Sequence, residues 1–245
     1  MSRPLTHDQK LREVLIERYA ALDRGSMRQR LRFYAKRLSW LTVINGSYLV
    51  KRLFDSLASA ILIALLLPVF GLVALLIRLE SPGPVLFRQT RVGRWGQLFT
   101  MWKFRSMYID AEARKATLMA QNEMAGGVTF KMKNDPRVTR VGRFIRKTSI
   151  DELPQLWNVL VGDMSLVGPR PALPTEVSQY SLDDRGRLDA KPGITCTWQV
   201  SGRSDIPFNE QVLLDIEYIN QQSVRNDLKL LVKTVPAVIS GRGAY

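Results

Sequence analysis

The chain has 245 residues, a formal net charge of +14, one cysteine and one histidine. These counts exclude an internal disulfide and a multi-cysteine metal site, and His7 lies in a polar stretch with no Ser or Cys partner pattern. An enzyme of this composition must use carboxylates, Lys or Tyr as reacting groups, and a bound metal would be a hard cation with oxygen ligands. The positive charge suits anionic lipids, phosphorylated substrates or nucleic acid, and composition does not separate these.

The first fifty residues are basic and helical by pattern. Apolar residues recur at helical spacing from Leu11 to Leu22, and Gly25 interrupts the pattern. Residues 27–41 then mix Arg and Lys with Leu, Phe, Tyr and Trp, which fits a helix lying on an anionic membrane surface. A solvated basic helix, or an arm that binds a partner, explains the same mixture. We therefore expect residues 1–50 to form a basic helical N-terminal extension.

Residues 57–77 form the most apolar stretch of the chain and carry no charge. A straight helix of this length would rise about 30 Å, which is the thickness of the hydrocarbon core of a bilayer. Pro68 near its centre removes a backbone donor, so the stretch is either a kinked span or two half-helices that enter and return. A buried core helix is a third interpretation, although core runs are usually shorter.

The charges on both sides of this stretch favour the re-entrant form. Residues 1–52 hold 12 Lys or Arg and 4 Asp or Glu, and residues 78–147 hold 15 and 5. Cationic flanks normally stay in the cytoplasm, and only a hairpin keeps both of them there. We therefore predict a re-entrant membrane hairpin over residues 51–79, broken at Pro68.

The segment after the apolar stretch begins with short extended pieces. Pro82-Gly83-Pro84 predicts a turn, and Leu98–Phe104 reads as a strand that carries Lys103, with Arg105 just beyond it. Residues 109–122 then suggest a polar helix, and a Gly-Gly pair follows it.

A second helix start is marked by Asp135 as a cap and Pro136 at the first helical position. Its apolar stripe runs from Val138 to Ile145, and basic residues that include Arg146 cover much of the remaining surface. Such a face is usually solvated. Beside a membrane segment and an acidic pair, contact with phosphate or lipid headgroups is the alternative.

Asp151 and Glu152 come directly before a strongly amphipathic helical pattern, residues 153–161. One interpretation is structural, because Ser149-x-x-Glu152 has the spacing of a capping box and Asp151 could itself cap the helix. The other interpretation is a functional pair of carboxylates. Residue type alone favours capping.

Residues 162–171 predict a short strand that ends in a rigid turn. Pro169 and Pro171 fix the backbone on both sides of Arg170. A guanidinium held in this way suits bidentate phosphate binding, and a structural ion pair is the alternative.

The C-terminal part reads as extended chain followed by two helices. Residues 191–203 lie between Gly turns and offer Gln199 and Arg203 as polar groups. The spacing then predicts helices over Phe208–Gln222 and Asp227–Ser240, the second with a proline inside it.

Four blocks of sequence carry a resemblance to a known family. They read KRLFD, SPGPVLFRQTRVGRWGQLFTMWKFRSM, DPRVTRVGRFIRKTSIDELPQLWNVLVGDMSLVGPRP and PGITCTWQVSGRS. On these blocks the chain resembles the bacterial sugar transferases, the monotopic polyprenyl-phosphate phosphoglycosyl transferases, from about Lys51 to the C-terminus. The resemblance implies a helix broken at Pro on the cytoplasmic face of the bacterial inner membrane. We expect an α+β fold, mostly helical with short strands, that combines a re-entrant helix-break-helix, interfacial amphipathic helices and a cytoplasmic catalytic domain over residues 80–245.

The resemblance also implies a reaction, which is transfer of hexose 1-phosphate from a UDP-sugar to undecaprenyl phosphate with release of UMP. Asp151 matches the nucleophile of the family's Asp-Glu dyad, which forms a covalent aspartyl intermediate, and Glu152 matches its partner. Arg146 matches an arginine near the transferred phosphate, and Arg170 matches the arginine of the Pro-Arg-Pro turn. Mg²⁺ at Asp151 and Glu152 is implied, and a homodimer is allowed. Further candidate substrate-binding residues are Lys103, Arg105, Gln199 and Arg203.

The chain departs from the family pattern in two places. Cys196 stands where Gly is usual, and about fifty soluble basic residues stand where the longest members carry a four-span domain. A second function class also explains the charge, namely a membrane-tethered protein that binds nucleic acid or a protein partner. The transferase interpretation expects UDP-sugar, undecaprenyl phosphate and inner-membrane lipids as partners and no nucleic acid, and it does not identify the hexose.

Overall fold

The computed structural model describes residues 27–111, 113, 135–202 and 206–240. The chain divides into two compact units, Met1–Val50 and Lys51–Tyr245. The helical pattern predicted over residues 8–26, the polar helix predicted to reach residue 122 and the candidate Arg203 lie outside the described residues.

The first helix, α1, runs from Met27 to Glu80 and includes Pro68. The sequence predicts two half-helices separated at this proline, whereas the structure has a single helix here. A proline inside a helix removes only one N–H donor, and the apolar residues on both sides continue the helical pattern. The predicted break is therefore not observed, and re-entry stays a prediction.

The C-terminal part of α1 is apolar and exposed. The segment Tyr48–Glu80 is long and apolar enough to cross a membrane, with a mean hydropathy of 3.0 in its most apolar window, and only 11% of that window is buried. Leu65 is 69% exposed and Leu79 is 74% exposed. A core helix of a soluble protein would bury these side chains, so that interpretation is wrong. The exposed apolar surface indicates a membrane-associated chain.

The second unit is mostly helical with short strands, as predicted, and its two sheets have two strands each. Three single-turn 3₁₀ segments complete it, at Arg94–Gly96, Ile150–Glu152 and Asp184–Asp189. The helices and strands that follow α1 are β1 Leu86–Val92, β2 Leu98–Phe104, α2 Arg140–Lys147, α3 Gln155–Val161, β3 Ser165–Val167, α4 Pro174–Val177, β4 Gly193–Thr195, α5 Thr197–Ser201, α6 Phe208–Asn220 and α7 Val224–Ser240.

Helix α2 begins later than the sequence predicts. Its cap is Thr139, whose hydroxyl accepts a hydrogen bond from the Gly142 N–H over 2.8 Å. Asp135, the predicted cap, instead accepts hydrogen bonds from the guanidinium and the backbone N–H of Arg137. A nearby cation therefore occupies the side chain that the sequence pattern assigned to the helix N-terminus.

Helix α1 is fastened to the second unit at residues 51 and 52. The Lys51 ammonium forms an ion pair with the buried Asp227 of α7. The Arg52 guanidinium donates to the carbonyl oxygens of Val159 and Leu160 over 2.5 and 2.7 Å. Because the last carbonyls of a helix lack partners, Arg52 satisfies the C-terminal end of α3.

The C-terminal end of α1 is fastened to the same unit. Val73 and Ile77 are buried in a cluster with the last residue of β2 and the middle of α2. The Glu80 carboxylate accepts hydrogen bonds from the backbone N–H groups of Arg140 and Val141 over 2.7 and 2.9 Å. A carboxylate at this position also complements the positive end of the helix dipole of α2.

The largest core cluster joins the hairpin of β1 and β2 to α3, β3, α6 and α7. Phe54, Ala58, Ile63, Leu66 and Phe70 of α1 pack against it from one side. Its buried members are Met101, Leu156, Val159, Met164, Leu166, Val167, Tyr218 and Leu230.

The apolar stripe predicted for α3 is only partly correct. Leu156 is buried as predicted, and so is Val159, which the predicted stripe omits. Trp157 and Val161 belong to the predicted stripe but are about half exposed.

Candidate active site

The hairpin of β1 and β2 provides one wall of the site. The two strands pair antiparallel with Gln89 opposite Met101 and Arg91 opposite Phe99. Because side chains alternate along a strand, Gln89, Arg91, Met101 and Lys103 lie on the same face of the hairpin. That face carries two cations.

A close approach of two backbone segments provides the second wall. Strand β3 pairs parallel with β4, and a Cβ on Gly168 would lie 2.3 Å from the carbonyl oxygen of Lys191. Only glycine fits there, and the chain then passes through the turn with Arg170 between two prolines. The next bridge joins Val92 to Ala172, with the Val92 N–H donating to the Ala172 carbonyl over 2.9 Å. This bridge places Arg170 beside the end of β1.

The acidic pair lies in the 3₁₀ turn between α2 and α3. Ser149 has left-handed backbone angles, with φ of 56°, and its side chain makes no capping hydrogen bond. The capping interpretation is therefore wrong, because α3 begins only at Gln155 with Pro154 before it. Glu152 instead accepts a hydrogen bond from Lys103, with 2.6 Å between Oε1 and Nζ.

The two carboxylates differ in their electrostatic environment. Asp151 is 7% exposed, and burial raises the pKa of its carboxyl above the usual value, although Lys103 and Arg146 act in the opposite direction. For Glu152, burial alone would also raise the pKa, but Lys103 and Arg170 outweigh it and hold the pKa well below its usual range. The sequence analysis predicts no such difference within the pair.

These elements enclose a pocket of about 220 Å³. It brings together four of the predicted site residues, Lys103, Glu152, Arg170 and Gln199. Asp151 is the direct neighbour of Glu152, and Arg146 in the last turn of α2 acts on the Asp151 charge. The remaining lining residues are Arg91, Met101, Gln155, Pro171, Gly193 and Ile194. Cationic walls beside a pair of carboxylates suit a phosphorylated ligand and an acidic nucleophile or base.

The family of the chain follows from a comparison with known proteins. The family model described as bacterial sugar transferase matches residues 46–241, which include the whole pocket. This chain belongs to the bacterial sugar transferase family. Membership favours the enzyme interpretation over a basic binding protein.

Several curated relatives of this sugar transferase are similar over about four fifths of the chain. The galactosyl transferase CpsE of Streptococcus agalactiae is 46% identical over 81% of this chain and 44% of its own length. The undecaprenyl-phosphate galactose phosphotransferase of Salmonella typhimurium is 44% identical over 82% and 43%. The exopolysaccharide production protein ExoY of Rhizobium meliloti is 39% identical over 80% and 88%. The chain thus spans less than half the length of the first two relatives and most of the third.

One predicted substrate-binding residue of the sugar transferase lies elsewhere. The Arg105 guanidinium donates to the carbonyl oxygens of Ser81 and Pro82 over 2.6 and 3.0 Å, and Arg105 does not line the pocket. The strand ends at Phe104, so its alternation no longer fixes the direction of the next side chain. We therefore assign Arg105 to the turn that follows α1 and not to the substrate site.

Two lining residues were missed by the sequence analysis. Arg91 lies on β1, which the sequence analysis predicts only as unspecified extended chain, and Gln155 is the first residue of α3. The pairing of β1 with a correctly predicted strand could have revealed Arg91, because it places Arg91 on the same face as Lys103.

The pocket fits Mg²⁺ only together with a ligand. Among the described residues, no group of three or more His, Cys, Asp or Glu side chains could hold a metal ion. Asp151 and Glu152 supply two adjacent carboxylates, and Lys103 already occupies one Glu152 oxygen. Mg²⁺ in nucleotide sites commonly uses one or two carboxylates and completes its shell with water and phosphate oxygens. The residues present fit that arrangement.

Proposed function

We propose that this bacterial sugar transferase transfers a hexose 1-phosphate from a UDP-sugar to undecaprenyl phosphate and releases UMP. The product would initiate an exopolysaccharide or O-antigen unit. The names of the Salmonella and Rhizobium relatives support the acceptor and the pathway class. The relative in Caulobacter vibrioides named UDP-glucose:undecaprenyl-phosphate glucose-1-phosphate transferase supports a UDP-hexose as donor.

The observation that carries the proposal is a buried aspartate beside a cationic pocket. Asp151 is screened from water, and Lys103 and Arg146 lie close enough to act on its charge. The raised pKa makes Asp151 a stronger base, and thus a better nucleophile, than an exposed aspartate, while it remains mostly ionised at neutral pH.

In the proposed first step, an Asp151 oxygen attacks the phosphorus that is bonded to the sugar. The bond from this phosphorus to the bridging oxygen breaks, UMP leaves with the electron pair, and Asp151 becomes an aspartyl hexosyl phosphate. An oxygen of undecaprenyl phosphate then attacks the same phosphorus, and cleavage of the acyl-phosphate bond returns the Asp151 carboxylate. Neither step needs a general base, because both nucleophiles are already anionic.

The cations of the pocket make this attack feasible. A carboxylate and a diphosphate repel each other unless positive charge neutralises the phosphate oxygens. Lys103 and Arg170 line the pocket and Arg146 lies near Asp151, so these residues would bind the diphosphate and hold it in line with the nucleophile. Mg²⁺ held by Asp151, Glu152 and the phosphates would supply further charge neutralisation.

The attachment of α1 supports a monotopic arrangement on the cytoplasmic face of the inner membrane. Lys51 and Arg52 at one end of the apolar segment, and Glu80 at the other, bind the same catalytic unit. A helix that crossed the bilayer would separate these ends by about 30 Å of hydrocarbon. We therefore propose that both ends face the cytoplasm and that α1 enters one leaflet, which brings the pocket level with the acceptor phosphate.

The reaction is tested with the purified full chain, undecaprenyl phosphate, Mg²⁺ and a panel of UDP-hexoses. We expect UMP release with at least one donor and its loss in Asp151→Asn, while the exposed control Asp183→Asn keeps full activity. Substantial UMP release by Asp151→Asn would remove Asp151 from the nucleophilic role. Absence of UMP release by the wild type with every donor would contradict the proposed function.

The membrane arrangement is tested by labelling. Leu53→Cys and Leu79→Cys, each in a Cys196→Ser background, place single thiols at exposed positions near the two ends of the apolar segment. An impermeant maleimide should label both positions in inside-out vesicles and neither in right-side-out vesicles. Labelling of the two positions from opposite sides would overturn the monotopic proposal.

A further inference from the structure

Arg91 is a buried cation of the active-site pocket that the proposed mechanism does not use. It lies on the pocket face of β1, and only 7% of the residue is exposed. It lines the pocket together with Lys103 and Arg170. Because a buried charge is costly without compensation, its surroundings indicate what compensates it.

Neutral acceptors alone hold the Arg91 guanidinium within the described part of the chain. Nε and Nη2 donate to Gln89 Oε1 over 3.1 and 2.6 Å, and Nη1 donates to the Pro171 carbonyl oxygen over 2.9 Å. None of the ion pairs among the described residues includes Arg91. A guanidinium has five N–H donors, so these contacts fix its plane and leave about two donors for a ligand.

The charge of the pocket is unbalanced in favour of an anion. Arg91, Lys103 and Arg170 face a single lining carboxylate, that of Glu152, which is already paired with Lys103. Burial and the nearby Arg170 lower the pKa of Arg91 to about 10, so the guanidinium remains charged at neutral pH. Two guanidinium groups without a carboxylate partner, held close together, form a typical phosphate-binding arrangement.

We propose that Arg91 is a phosphate-binding residue that holds the diphosphate of the nucleotide sugar together with Arg170, and that Gln89 is the positioning residue that aligns it. The identity of the ligand rests on the proposed function. Gln89 lies two residues before Arg91 on the same strand face, and its amide oxygen accepts two of the guanidinium donors. Loss of that oxygen would leave the charge in place but free the fork to rotate.

A purely structural role for Arg91 is the competing explanation. Its hydrogen bond to Pro171 could simply brace the turn that carries Arg170. A brace would affect every ligand of the pocket, whereas a phosphate contact affects only ligands that carry phosphate. The ratio of UMP affinity to uridine affinity separates the two roles.

The test measures UMP and uridine binding by calorimetry or competition, using the full chain in nanodiscs. The variants are Arg91→Lys, which keeps the charge without the fork, Arg91→Gln, which removes the charge, and Gln89→Met, which removes the aligning acceptor. The matched control is Arg88→Lys on the opposite face of the same strand, where the guanidinium lies 5.0 Å from the Trp102 ring centre.

We expect UMP affinity to fall about 10- to 100-fold in Arg91→Gln, which is the loss of a charge-assisted hydrogen-bonded contact. Arg91→Lys and Gln89→Met should show smaller losses in the same direction, uridine affinity should stay constant, and Arg88→Lys should match the wild type. Wild-type UMP affinity in both Arg91 variants, or equal losses for UMP and uridine, would overturn the inference. These results leave the proposed function standing if the wild type still releases UMP from a UDP-hexose, so the two failures are distinguishable.

Discussion

The pH dependence of the reaction should be controlled by Lys103. Its ammonium donates to Glu152 over 2.6 Å, and both side chains are largely buried, 16% and 21% exposed. After burial, Lys103 is the leading influence on the pKa of both carboxyls and lowers each of them. Lys103→Met should therefore raise both pKa values.

The size of this effect follows from the geometry. An opposite charge within about 4–6 Å of a carboxylate lowers its pKa by about 1–3 units. Asp151 must be ionised to attack, so its activity is lost as pH falls through its pKa. Since burial already raises that pKa in the wild type, the acid limb should lie above the usual aspartate range. In Lys103→Met it should move higher still, by about 1–3 pH units.

The assay is the initial rate of UMP release between pH 5 and pH 9 (about the range in which the family's donors are stable enough to use). Lys103→Arg keeps the charge and should retain an acid limb close to that of the wild type. Lys147→Met removes an exposed lysine of α2 and should leave the profile unchanged. An unshifted acid limb in an active Lys103→Met protein would refute the electrostatic reasoning.

Three further changes test the packing around the site. Asp227→Asn breaks the buried pair with Lys51 and should lower the free energy of unfolding by about 3–5 kcal/mol in denaturant titrations. Gly142→Ala places a Cβ 1.9 Å from a backbone oxygen and should cost about 1–3 kcal/mol, whereas Gly71→Ala, with open space around it, should not lower the melting temperature. Cys196 is buried and burial raises the pKa of its thiol, so thiol reagents should react slowly with the native protein and quickly after denaturation; fast native labelling would contradict the structure.

Local sequence signals predicted the elements whose side chains need only their neighbours. The strand Leu98–Phe104 has the bounds that the sequence predicts, and a short strand does precede the Pro-Arg-Pro turn with Arg170. Helix α6 begins at Phe208 as predicted. Proline and strand patterns act within a few residues, so a single chain reveals them.

Long-range contacts account for the main errors around the site. Glu152 has the spacing of a capping residue, yet it pairs with Lys103, which lies 49 positions earlier. The N-terminus of α2 is satisfied partly by Glu80, which lies 60 positions before Arg140. Such partners override local preferences, and no pattern within one segment encodes them.

The membrane segment illustrates a different limit. Composition identified an apolar helix with cationic flanks, and the exposed surface of α1 agrees with it. Pro68 alone, however, does not determine whether a helix is interrupted, because neighbouring hydrogen bonds can keep the helix intact. Attachment of both helix ends to one unit is information that only the tertiary structure provides.

The central claim is that Asp151 carries the sugar phosphate between the two substrates. Intact-mass spectrometry of the full chain with UDP-hexose and Mg²⁺, without undecaprenyl phosphate, tests it most directly. We predict an adduct with the mass of one hexosyl phosphate, located at Asp151 by peptide mapping, absent in Asp151→Asn and discharged when undecaprenyl phosphate is added. An enzyme that turns over but never forms this adduct, or forms it in Asp151→Asn, would contradict the account.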